Sequence, residues 1–191
     1  KLATWNIISV RLRIETVLTY LREQQPDILC LQEIKATEDV FPYEPLREAG
    51  WPHIAVAGFK GYNGVAILSR VPFTGSGVMN WCGKEDGRHV WAELKGKTKI
   101  HNFYVPAGGD EPDPAINPKF EHKLQFLSEL TDWFSERASP KAKRIMVGDL
   151  NIAPLEHDVW SHKKLLKVVS HTPVEVEAMA RLQDSNGWVD A

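Results

Sequence analysis

The sequence predicts a layered α/β sandwich, and three observations carry that expectation. Short apolar runs of strand length recur along the chain, and several adjoin one another in hairpin fashion. Amphipathic helical patterns stand between some of them, without the regular right-handed strand-helix-strand rhythm of a doubly wound sheet. The chain has 191 residues and is 43% hydrophobic, enough for one sizeable core. A single domain over residues 1–191 is expected.

The elements follow in order. Lys1 to Ile7 reads as a strand, and Ile14, Val17, Leu18 and Leu21 recur at helical spacing until Gln25-Pro26-Asp27 ends the pattern. Ile28 to Leu31 is a buried strand that ends in Gln32-Glu33-Ile34-Lys35. A looser segment with Pro42, Pro45 and Pro52 leads to a strand at His53 to Ala57 and a glycine-rich turn from Gly58 to Gly64. Val65 to Ser69, Val90 to Leu94 and Ile100 to Tyr104 read as further strands. Pro106 to Pro118 is a long, proline-broken, acidic loop of the kind that often carries function. Phe120, Leu124, Leu127, Leu130 and Phe134 form the apolar stripe of a helix that ends before Ser139-Pro140. A strand at Arg144 to Val147 follows. Thr172-Pro173-Val174-Glu175 has the form of a capping box and opens a helix to about Asp184. The chain stops just after Gly187-Trp188-Val189-Asp190, which reads as the start of another structured segment, so a C-terminal part is expected to be missing.

Composition excludes several classes. With 25 acidic and 23 basic side chains the net charge is -2, so any contact with a polyanion must be local. Cys30 and Cys82 are too few for a disulfide framework or a zinc site, and Cys30 lies in an apolar run where it reads as a buried thiol. No apolar stretch reaches membrane-span length, and the first residues enter a strand without a signal-peptide pattern. The expectation is a soluble, cytoplasmic, monomeric protein.

Chemistry concentrates at strand ends. Asn6, Glu33, Tyr104 and the Asp149/Asn151 pair each follow an apolar run directly. Side chains two apart in a strand share a side, so Asp149 and Asn151 are expected to point together. A carboxylate such as Glu33 suits a hard cation that takes oxygen ligands and keeps waters, which makes magnesium the natural candidate, or manganese in its place. Each residue also has a plain structural reading: Glu33 as the ion partner of Lys35, Tyr104 as a core ring, Asp149 and Asn151 as an Asx turn. The recurrence of the same device at separate strand ends favours a site. His157, His162 and His171 lack metal-ligand spacing and read as solvated or capping. Gly58 to Gly64 lacks the Lys-Ser/Thr ending of a nucleotide cradle, though its amides suit a nucleic-acid phosphate. Lys60, Arg70, Lys84, Arg88 and Lys119 are candidate phosphate contacts, against a default of scattered surface charge.

Five segments together resemble a known family. Ala3-Thr4-Trp5-Asn6-Ile7, Leu31-Gln32-Glu33-Ile34-Lys35, Gly61-Tyr62-Asn63-Gly64-Val65-Ala66, Asn102-Phe103-Tyr104-Val105-Pro106 and Gly148-Asp149-Leu150-Asn151-Ile152-Ala153-Pro154 are similar, in order and spacing, to the exonuclease III family of abasic-site endonucleases. The resemblance implies a four-layered DNase I-like sandwich of two sheets covered by helices. It also implies magnesium-dependent hydrolysis of DNA 5′ to abasic sites in base excision repair, with 3′ to 5′ exonuclease and 3′-phosphatase activities. On this reading Glu33 binds the metal with Asn6 beside it, Tyr104 contacts the scissile phosphate, Asp149 orients the attacking water and Asn151 fixes the phosphate. Lys35, Asn63 and Arg88 contact DNA phosphates, and the partner is double-stranded DNA.

Two departures qualify it. Family members usually have Asn or Asp where this chain has Ile8, which can neither ligate nor orient a water. The closing strand-borne aspartate and Asp-His pair of the family are not in the sequence, so weak activity is expected of residues 1–191. The competing readings are a small-molecule phosphatase or phosphodiesterase of the wider superfamily, and a DNA-binding relative without turnover.

Overall fold

The computed structural model describes residues 1–191, which fall into two compact units. The first comprises Lys1–Tyr104 and Lys143–Asp149, the second Val105–Ala142 and Leu150–Ala191.

The first unit contains two mixed sheets. Strands β1 (Leu2–Asn6), β2 (Ile28–Gln32), β3 (His53–Ala57) and β4 (Val65–Ser69) form one, in the order β1-β2-β4-β3 with β1 and β2 parallel. Strands β5 (Phe73–Val78), β6 (His89–Leu94), β7 (Thr98–Tyr104) and β8 (Lys143–Asp149) form the other in sequential order, with β7 and β8 parallel. Period-two alternation sorts the faces of β2, all five residues of which are buried. Leu29 and Leu31 pack with Val17 and Leu21 of α1 (Ile14–Gln24) and Leu46 of α2 (Tyr43–Glu48). Ile28 and Cys30 pack with Val90, Ala92 and Ile100 of the facing sheet. Two helices therefore cover one sheet, and its other face lies on the second sheet, as the sandwich reading requires. Cys30 is the buried thiol expected, and neither it nor Cys82 forms a disulfide.

Polar groups stitch the two sheets together beneath their ends. Asn102 of β7 donates to the carbonyls of Leu31 and Ala66, at 3.0 and 2.9 Å, and its Oδ1 accepts from Gln32 Nε2 at 2.7 Å. Buried amides must be satisfied, so this network fixes the register of β2 against β7. Glu33 follows Gln32, and Tyr104 lies two residues beyond Asn102.

In the second unit α3 (Pro118–Glu136) packs on α5 (Pro173–Asp184); Phe120, Phe126, Leu127, Leu130 and Phe134 of the former and Ala178 and Leu182 of the latter are buried. Asn117 caps α3, its Oδ1 accepting from Lys119 N at 3.0 Å, while its Nδ2 donates to Gly108 O and Glu111 O and so pins the acidic loop. A 3-10 turn at Glu156–Asp158 and a short helical turn, α4 (His162–Leu165), lie between β8 and α5. No helix is long and apolar enough to cross a membrane.

Three expectations change. The proline-containing segment before β3 holds α2, because Pro45 falls in the first turn where a missing N–H costs no helical bond. β5 lies outside the predicted strands: Phe-Thr-Gly-Ser-Gly-Val lacks an apolar run, and its Gly75 and Gly77 leave room for the Trp91 ring, which a Cβ at Gly77 would meet at 3.0 Å. His171 is buried rather than solvated. Its Nδ1 donates to Ala153 O at 2.6 Å, and its Nε2 lies 2.9 Å from His162 Nδ1.

Candidate functional site

Parallel pairing of β1 with β2 and of β7 with β8 brings four chain ends to the same edge of the first unit. Asn6 stands opposite Gln32, and Tyr104 opposite Asp149. The side chains then meet. Asn6 Nδ2 donates to Glu33 Oε1 at 2.9 Å and to Asp149 Oδ2 at 2.8 Å, so one amide bridges two carboxylates. Asn6 Oδ1 accepts from Ile8 N at 3.2 Å, which fixes which way the amide faces. Tyr104 Oη donates to Glu33 Oε1 at 3.0 Å, and Lys35 Nζ lies 3.0 Å from Glu33 Oε2.

The loops that carry these groups are laced together and strained. Ser9 N donates to Glu33 O, Val10 N to Ile34 O, Ile34 N to Gly64 O and Lys35 N to Asn63 O, at 2.7 to 3.1 Å. Ile8, Ser9, Glu33, Lys35 and Asn63 all have positive φ, from 37° to 96°. Non-glycine residues adopt that region at a cost, and its concentration at one edge is typical of functional sites. Gly148, at φ 144°, serves the same edge: a Cβ there would lie 2.0 Å from Phe103 O, so only glycine lets β8 approach β7 and deliver Asp149 beside Tyr104.

Electrostatics favour an ionised carboxylate beside a neutral phenol. Burial acts to raise the Glu33 carboxyl, but hydrogen bonds from Asn6, Lys35 and Tyr104, with the Lys35 charge, outweigh it and hold the group below its ordinary 4.5. Burial first, and then the hydrogen bond to Glu33, push the Tyr104 hydroxyl far above its ordinary 10.0. Tyr104 is therefore a donor at neutral pH and not a base.

Two oxygen-bearing carboxylates beside an amide fit a cation that takes one or two carboxylates and keeps its waters. The position of Lys35 shows that Glu33 Oε2 accepts a positive charge. No group of three His, Cys, Asp or Glu side chains able to hold a metal is present.

The sequence-predicted residues divide three ways. Asn6, Glu33, Lys35, Tyr104 and Asp149 come together as described. Asn63 and Arg88 support the site from within the protein: Asn63 Nδ2 donates to Asp86 O at 3.0 Å, while Arg88 pairs with Asp86 at 2.5 Å, donates to Tyr104 O at 3.1 Å and lies over the Tyr104 ring. Asn151 belongs to the second unit, where its Nδ2 donates to Val105 O at 2.8 Å. The alternation argument does not reach it, because β8 ends at Asp149 and Asn151 has φ 52°. Arg70 is also engaged, bonding Gln25 and lying over Trp51.

Sequence reading missed Arg11 and Arg13. They line a cleft of about 630 Å³ with Ile8, Ser9, Leu12, Lys35 and Gly61. A neighbouring cleft of about 330 Å³ is lined by Arg11, Lys35, Lys60 and Gly61 among others. Arg11 and the Glu33 partner Lys35 line both clefts, with Arg13 in the first and Lys60 and Asp39 in the second. The available signal is the basic-flanked run after the first strand, Arg11-Leu12-Arg13.

Comparison with known proteins identifies the family and the fold. The sequence profile of the Endonuclease/Exonuclease/phosphatase family matches residues 3–188. Exodeoxyribonuclease III of Haemophilus influenzae is 30% identical over 168 residues, covering 83% of this chain and 60% of that protein. Among solved structures, a variant of the 3′ phosphatase NExo from Neisseria, bound to a product DNA hairpin, superposes with a TM-score of 0.86 at 31% identity, covering 95% of this chain and 69% of its own. An AP endonuclease from Archaeoglobus fulgidus gives 0.86 at 31% identity, covering 96% and 69%. The chain spans about three fifths of the length of the Haemophilus relative. The fold is the DNase I-like sandwich of these proteins.

Proposed function

Because the chain belongs to the Endonuclease/Exonuclease/phosphatase family, we propose that it carries the active site of a magnesium-dependent DNA phosphodiesterase of base excision repair. The reading is incision 5′ to abasic sites, with 3′ to 5′ exonuclease and 3′-phosphatase activities on the same centre. The observation that carries it is the Asn6 amide held between the Glu33 and Asp149 carboxylates.

Glu33, with Asp149 beside it, would hold a magnesium or manganese ion, which supplies Lewis-acid polarisation of the phosphoryl oxygen and stabilises the leaving alkoxide. Asn6 keeps the two carboxylates at a fixed separation and offsets their mutual repulsion. Tyr104, protonated and braced by Arg88, would turn its one hydroxyl proton from Glu33 to the scissile phosphate once a cation holds the Glu33 carboxylate. Asp149 orients the attacking water and accepts its proton. Asn151 fixes the phosphate, as the family resemblance implies. Arg11, Arg13, Lys35 and Lys60 supply the local positive charge that the net charge of the chain does not, and they suit a DNA backbone. The product DNA hairpin bound to the Neisseria phosphatase supports a DNA substrate over a small phosphorylated compound.

The test is incision of a labelled duplex bearing one abasic analogue, with magnesium, by the protein and by Asp149→Asn. Loss of the aspartate should lower the rate by roughly 10²–10⁴-fold while a salt-sensitive mobility shift persists. Equal incision by both proteins would refute the assignment. Turnover of small phosphate esters without salt-sensitive DNA binding would transfer the site to the small-molecule branch.

A further inference from the structure

A fully buried ion pair lies in the second unit. Lys123 of α3 and Glu175 of α5 are both at 0% side-chain exposure, with Lys123 Nζ 2.5 Å from Glu175 Oε1. Two further ammonium contacts go to backbone carbonyls of loops. Lys123 Nζ donates to Asn151 O at 2.6 Å and to Ala107 O at 3.2 Å. Glu175 likewise ends on loop backbone: it accepts from Ser170 N at 2.9 and 3.0 Å, from Thr172 N at 3.2 Å and from Thr172 Oγ1 at 2.7 Å.

Those two carbonyls sit in segments that have no helix or strand of their own. One follows Tyr104 in the chain, the other follows Asp149. Asn151 itself has φ 52°, commits one amide N–H to Val105 O at 2.8 Å and accepts the Lys123 ammonium at its backbone carbonyl. Gly108, at φ 95°, packs its backbone on the Lys123 stem, where a Cβ would meet Cδ at 3.0 Å.

A buried ion pair contributes little stability beyond that of a well-packed apolar replacement, so stability alone does not account for one. What an apolar pair cannot supply is a single donor centre that two loop carbonyls share. We propose that Lys123, neutralised by Glu175, is a positioning residue that sets the backbone of Asn151 and of the 105–109 segment. The capping-box glutamate legible in the sequence is thus the counter-ion of that device. The effect on turnover rests on the phosphodiesterase reading; the effect on the two loops does not.

Lys123→Met combined with Glu175→Gln removes both charges and keeps an acceptor for Ser170 and Thr172. Its thermal melting reports folding, its steady-state kinetics on abasic duplex report turnover, and amide hydrogen exchange reports the loops. Expected are a melting transition close to the parent, kcat lower by roughly tenfold to a hundredfold with KM little changed, and faster exchange confined to residues 105–109 and 150–154. Lys123→Arg, which retains a cationic donor, should recover part of the kcat. If the double variant fails to fold, Glu175→Gln alone is compared in the same way, with faster loop exchange expected. Parent-like exchange in both segments overturns the proposal whether or not the parent hydrolyses DNA. An inactive parent with faster loop exchange in the variant overturns the phosphodiesterase reading and leaves the positioning role standing.

Discussion

Asn6 joins two carboxylates that would otherwise repel, and Tyr104 and Lys35 complete the ring of donors around Glu33. Removing one donor leaves charge less compensated in a half-buried place, so Tyr104→Phe should reduce kcat by roughly a hundredfold without unfolding the protein. Single-turnover incision checks this, and a parent-like rate would remove Tyr104 from the mechanism. Ile8 presents the opposite case. A β-branched side chain at φ 49° occupies a backbone shape that Asn tolerates far better, and it is half exposed, so little packing offsets the strain. Ile8→Asn should therefore stabilise the protein by about 1 kcal/mol, or raise the melting temperature by roughly 2–4 °C in a chain of this size. A melting temperature that stays level or falls would show that the loop has no strain to release.

Strand ends decide whether these side chains meet. β8 reaches β7 closely only because Gly148 has no Cβ, so Gly148→Ala should cost roughly 2–4 kcal/mol or force β8 out of register. Urea unfolding measures the first outcome and loss of incision the second; a variant matching the parent in both would contradict the packing described. The same element shows what the sequence made legible. β3 and β4 match the expected bounds, and Asn6, Glu33, Tyr104 and Asp149 converge as strand-end residues, because apolar runs bounded by turns fix both the strand and its last polar residue. β5 and α2 escaped because glycine and proline, usually breakers, are accommodated by tertiary contacts in one case and by position in the other: a Trp91 ring over the glycines, a helix first turn for the proline. The alternation rule failed at Asn151 because it holds only within a strand. Arg88 and Asn63 were legible as polar residues near the site, but which partner each faces depends on Asp86, more than twenty residues from Asn63 and without any distinguishing pattern around it.

At the scale of the sheet sandwich, two histidines are sealed between apolar and aromatic neighbours. Trp81 Nε1 only donates, so His89 Nδ1 accepts it at 3.3 Å, His89 Nε2 carries the proton, and His101 Nδ1 accepts at 3.0 Å. Phe103 stacks on His89 with ring centroids 3.9 Å apart. That directional chain requires both rings neutral. Burial, and then the positive charges of Lys99 and Arg144, hold His101 down to about 3, and burial with the charge of His101 holds His89 well below 6.5. A folded-state value below the unfolded one means that the unfolded chain binds more protons between the two values, so stability is fully present above about pH 6.5 and falls as the pH drops toward the folded-state value. His101 should cost about 1.4 kcal/mol by pH 5.5, and His89 adds to the loss in the same direction. His101→Gln, which can still accept from His89, removes one of the two titrations. Its loss of unfolding free energy between pH 7.5 and 5.5 should be smaller than the parent's by about 1.4 kcal/mol, measured by urea denaturation at both pH values. Identical losses in the two proteins would mean that acid acts through the carboxylates alone, and that the buried histidine chain contributes nothing to the pH dependence of the fold.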